Sequence, residues 1–149
     1  MSENDTERLL RECDAGTRMA SGSIRNLLDK VENAELRELL CETLKTHEKL
    51  GNDIHAMLNN ADEPAKEPSR VAQAMAKMKV EMKTMQDDAD HAVAEMLIDG
   101  CNMGIKKLSE YINTYETAEK EAKDIAINQM GVQFIDVDVN AFKQKVLPL

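Results

Sequence analysis

Apolar and small residues recur through the first third of the chain in alternating steps of three and four. Leu10, Cys13, Thr17, Ala20, Ile24, Leu27 and Val31 form one such series. These steps return side chains to one face of an α-helix, so the pattern predicts a bundle seam on a helix over 4–30. A second series, Leu36, Leu40, Thr43, His47, Leu50, Ile54 and Met57, predicts a helix over 34–59, with Asn33 as its N-cap and Asn59-Asn60 closing it. The turn between them, Glu32-Asn33-Ala34-Glu35, is short enough to force the two helices antiparallel.

Pro64 and Pro68 then mark a linker over 61–69. Beyond it, Val71, Met75, Met78, Met82 and Met85 share one helical stripe, which predicts a short helix over 70–86. Asp87-Asp88-Ala89-Asp90 reads as an acidic helix start, favourable to the helix dipole, and opens a third helix over 88–113. Thr114 to Thr117 turns the chain into a fourth. From Gly131 onward the pattern is ambiguous, because Val132, Phe134, Val137 and Val139 alternate as a strand would.

An internal echo arbitrates. Gly16, Met19, Ala20, Ile24 and Leu28 recur 84 residues later as Gly100, Met103, Gly104, Leu108 and Ile112, and Glu32-Asn33-Ala34-Glu35 as Glu116-Thr117-Ala118-Glu119. Two copies of one helical hairpin would carry the fourth helix over 118–146, with Gly131 as a kink. Carried through the hairpins, the offset also sets Thr17, His47, Cys101 and Gly131 in one central layer, with Thr17 offering its hydroxyl to a buried His47 imidazole.

Composition agrees with an all-α chain. Of 149 residues, six are Gly, three Pro and 3% aromatic, while Ala, Leu, Met, Lys and Glu are abundant. The net charge of −9 leaves no basic footprint for nucleic acid. No apolar run nears the roughly 20 residues that span a bilayer, and Met1-Ser2-Glu3-Asn4-Asp5 is too polar for a secretory signal. Cys13, Cys41 and Cys101 form no CxxC and read as reduced thiols in the core of a cytoplasmic protein.

Two antiparallel hairpins joined by a crossover from Asn60 to Asp87 resemble the ferritin-like four-helix bundle, with the short helix riding on the crossover. More narrowly, His91-Ala92-Val93-Ala94-Glu95-Met96-Leu97-Ile98, Gly100 and Met103-Gly104-Ile105 resemble a family of small uncharacterised bacterial bundle proteins, echoed in helix one by Gly16 to Met19. That resemblance implies a fold and no activity. The ferritin-like di-metal site takes Glu-x-x-His from each of two helices. Neither helix two nor helix four has that motif, and helix four has no His.

The remaining chemistry leaves two function classes. No nucleophile–base arrangement and no phosphate loop can be read from the spacing, so no enzyme class is indicated. The first class is a structural or interaction module that forms a homodimer or offers Met75, Met78, Met82 and Met85 to a protein partner; the segment around them is basic, and five cations against two anions over 66–83 give it +3. No cofactor is expected in that case. The second class is a metal-binding protein holding iron, manganese, zinc or copper through atypical ligands drawn from His47, Cys101 and the pair His91/Glu95, which lie four apart on one helix face. His55 falls one position off the seam and is expected to face solvent.

Overall fold

The first hairpin is fixed by caps that the sequence supplies locally. In a computed structural model describing residues 4–58 and 89–136, α1 spans Asp5–Leu28 and α2 Ala34–Leu58. α3 spans Ala89–Thr114 and α4 Lys120–Asp136. The Asn4 side chain accepts from Glu7 N at 2.8 Å, and that of Asn33 from Leu36 N at 2.9 Å. Each bond satisfies an N–H that a helix start leaves unpaired. The described residues therefore form an all-α bundle of four helices, with no strand among them. No helix among them is long and apolar enough to cross a membrane. The Met stripe and the short helix expected to carry it, Asn59-Asn60, Asp87-Asp88 and positions 137–146 lie outside the described residues.

Three side chains at helix starts set the direction of all four helices. Asp90, in the first turn of α3, accepts from Glu32 N at 2.8 Å and Asn33 N at 3.1 Å, so α3 begins beside the α1–α2 turn. Asp5 and Thr6, at the start of α1, accept from Thr117 N at 3.1 Å and Glu119 N at 2.8 Å, so the α3–α4 turn lies at the opposite end. α1 and α4 thus run one way, and α2 and α3 the other. α1 packs on all three other helices, α4 on α2 and α3 as well, and α2 and α3 meet least. Each hairpin straps down the turn of the other.

Hydrogen bonds from the Thr117 hydroxyl and then its backbone N–H hold the Asp5 carboxyl below the ordinary carboxylate pKa. A depressed pKa stabilises the fold above the unfolded value, about 3.9, and that contribution fades as pH falls through the folded value. Asp5→Ala is therefore expected to lower the melting temperature at neutral pH, with the gap to wild type closing below about pH 4. A gap independent of pH in thermal melts would contradict the strap.

The core divides in two. Ile24, Leu27, Val31, Leu36, Leu40, Val93, Ala94, Met96, Leu97 and Cys101 fill the end near the first turn. Leu9, Leu10, Cys13, Ile54, Leu58, Leu108, Ala118, Ala122 and Ala126 fill the end near the second. On α1 every predicted seam position is buried except Ala20, and Leu9, Asp14 and Ser21 are buried beside them.

Candidate functional site

Between the two apolar cores lies a belt of buried polar side chains: Asp14, Thr17, Ser21, Thr43, His47 and Gln129. On α1 they fall between Cys13 and Ile24, on α2 between Leu40 and Ile54, and on α4 just past Ala126.

Asp14 is the charged member. Its side chain is 6% exposed, with Oδ1 accepting from His55 Nε2 at 2.6 Å and Oδ2 lying 3.3 Å from Arg18 Nε. Arg18 stands four residues on, one turn along the same face, and His55 reaches across from α2. A carboxylate only accepts, so His55 Nε2 is the donor and Arg18 serves the other oxygen. His55 is exposed, as its place beside the seam predicted, and is also held by a buried carboxylate. Asp14 and His55 each follow a seam residue, Cys13 and Ile54, by one position. On antiparallel helices that places both on one flank, the signal that could have found the pair.

A carboxylate-oriented imidazole is a general-base arrangement when a nucleophile adjoins it. The adjoining thiol, Cys13, is fully buried, and burial followed by the charges of Glu12 and Asp14 pushes it up to about 12. It stays protonated and inert at neutral pH. Cys101 is buried as well, Cys41 only half-buried, and none of the three is in a disulfide among the described residues.

His47 is 2% exposed, as the central-layer reading requires. Its Nδ1 donates to Thr43 O at 2.9 Å, since a carbonyl oxygen only accepts. That Nε2 is buried without a hydrogen-bond partner. Thr17 does not supply one, since its hydroxyl donates to Asp14 O at 2.9 Å. A Cβ at Gly51 would touch Thr17 Oγ1 at 3.4 Å, so Thr17 is level with Gly51, and His47 lies one turn closer to the first turn.

Gly131 does not join this layer. It is exposed, nothing stands within 4 Å of a Cβ built on it, and helix continues past it to Asp136. The residue that enters the layer from α4 is Gln129, 0% exposed, with both side-chain N and O lacking partners. A Cβ at Gly16 would lie 2.8 Å from Gln129 Nε2, so the absence of a side chain on α1 makes room for that amide. The reason is a change of register. Leu9, Cys13, Thr17 and Ile24 of α1 match buried Val93, Leu97, Cys101 and Leu108 of α3 at 84 residues. Leu36, Leu40 and Thr43 of α2 match buried Ala122, Ala126 and Gln129 of α4 at 86.

Of the other candidate ligands, His91 and Glu95 form a pair at 3.0 Å with both side chains about half-exposed, and Cys101 sits in the first-turn core. Among the described residues no three of His, Cys, Asp and Glu converge as a group that could hold a metal ion. Compared with protein-family models, curated proteins and solved structures, the chain finds no match.

Proposed function

We propose that this chain is a ferritin-like bundle that serves as a structural or protein-interaction module and has no di-metal carboxylate site. The helix directions support the ferritin-like reading, because only a connection that returns along the bundle lets α2 and α3 run the same way. The 84-residue match between the buried faces of α1 and α3, and the reciprocal straps by Asp5 and Asp90, support duplication of a hairpin. A di-metal centre does not fit the donor set. Among the described residues the mid-bundle belt offers one carboxylate, Asp14, already committed to Arg18 and His55, with hydroxyls, an imidazole and an amide elsewhere.

The observation that carries the interaction role is where apolar surface is left uncovered. Met103 on α3 is 59% exposed and Ile127 on α4 is 55% exposed, both on the second hairpin. α4 turns alanines inward and has no single apolar face, as a helix would that serves a surface beyond its own core. A second reading, a single transition-metal ion, has one observation in its favour. His47 donates Nδ1–H to a backbone carbonyl and has a buried Nε2 without a hydrogen-bond partner, and metal-ligating histidines likewise donate their other ring N–H to a carbonyl.

Elemental analysis of protein purified without a His tag separates the two. The expected result is metal far below one ion per chain. Stoichiometric iron, manganese, zinc or copper, lost in His47→Phe, would overturn the module reading.

A further inference from the structure

The exposed stripe of α3 is not uniformly charged. Asp99, Met103 and Lys106, followed by Glu110, step by four, three and four along one exposed line of the helix. The N-terminal continuation of that line, Ala92 and Met96, is buried, so the line emerges into solvent at Asp99 and Met103 is its exposed apolar residue. An acidic residue stands one turn before Met103 and two basic ones, Lys106 and Lys107, one turn after it. Lys107 is 3.5 Å from Glu110, whereas Asp99 and Lys106 make no ion pair among the described residues. Beside the stripe, Gly100 has nothing within 4 Å of a built Cβ, which leaves the backbone open to close approach.

This charge order is its own complement when reversed. We infer that the Asp99–Lys106 face of α3 docks antiparallel on the same face of a second copy of this chain, with Met103 on the two-fold axis. The inference rests on the interaction-module reading and names its partner. In that pairing a residue some number of positions before Met103 lies across from the one as far after it. Asp99 therefore meets Lys106 and Lys107 of the other copy, and Gly100 receives the aliphatic stem of Lys106. A parallel arrangement would set Asp99 against Asp99 and lysine against lysine, which like-charge repulsion disfavours. The stripe is only about 17 Å long at 1.5 Å per residue. One helix face of that length covers less than the roughly 800 Å² per partner of a standard stable interface, so the dimer is weak and reversible.

Sedimentation velocity on the full chain over about 1–500 µM, the range of weak association, tests this directly. Wild type is expected to shift from monomer to dimer within it, and less readily in high salt. Met103→Asp and, separately, Asp99→Lys should each raise the dimer Kd by about tenfold or more, with unchanged helical circular dichroism. Asp99→Lys combined with Lys106→Glu and Lys107→Glu should restore dimerisation, because reversing both signs restores the complement. A wild-type chain that stays monomeric throughout, or a dimer indifferent to Met103→Asp, overturns the inference. Neither result touches the module reading, which stands or falls on the metal content.

Discussion

Replacing Arg18 and His55 together by alanine is expected to lower the stability of the bundle by about 3 kcal/mol. The Asp14 side chain is 6% exposed, and these two side chains are its partners across both carboxylate oxygens. With both gone, a carboxylate is left in a belt lined by apolar cores and amides. The figure is the low end for breaking a buried pair, because Arg18 and His55 reach solvent and their attraction is partly screened. Each single replacement should cost clearly less than half as much, since one partner remains. Asp14→Leu in the doubly substituted background should recover most of the loss, because an apolar side chain of similar volume carries no charge to desolvate. Denaturant unfolding at neutral pH compares all four variants with wild type. Equal stability of the double variant and wild type would mean that water already reaches Asp14.

At the centre of the bundle, Gly16→Leu is expected to cost about 2 kcal/mol despite the gain in helix propensity of roughly 1 kcal/mol. Even a methyl group at Gly16 would stand 2.8 Å from Gln129 Nε2, and Gln129 is 0% exposed. In a Gln129→Ala background the leucine has the space the amide held, and most of the cost should disappear. The two changes must therefore be strongly non-additive. Gln129→Met alone should raise stability by about 1–3 kcal/mol, by removing two buried polar atoms that lack partners. A loss of stability in Gln129→Met would instead show that the amide is hydrogen-bonded to a buried water or ligand.

These two sites differ in how far the sequence revealed them. The seams of α1 and α2 and the Asn33 cap follow from local spacing, and so does the all-α class, since a 3.6-residue period needs no knowledge of neighbours. Asp14 and His55 were visible only as flanking positions. Their pairing depends on the register between antiparallel helices, which turn geometry sets and periodicity does not. Gln129 was hidden for another reason. α3 has 26 residues against 24 in α1, so the second turn comes two residues late. An offset measured before the turn therefore misplaces everything after it, and Gly131 took the place that Gln129 holds. The alternating valines after Gly131 added a strand-like signal, yet the described part of that stretch, through Asp136, is helical.

The reciprocal straps also set a schedule for folding during synthesis. Asp5 is tied to Thr117, 112 residues further along the chain. At about 5–20 residues per second on the ribosome, the first helix start waits roughly 6–22 s for its partner. The first hairpin can form early from local contacts, but its half of the core stays open until α3 and α4 arrive. Closure of the bundle is consequently a late and long-range event, and the two ends lock together or not at all.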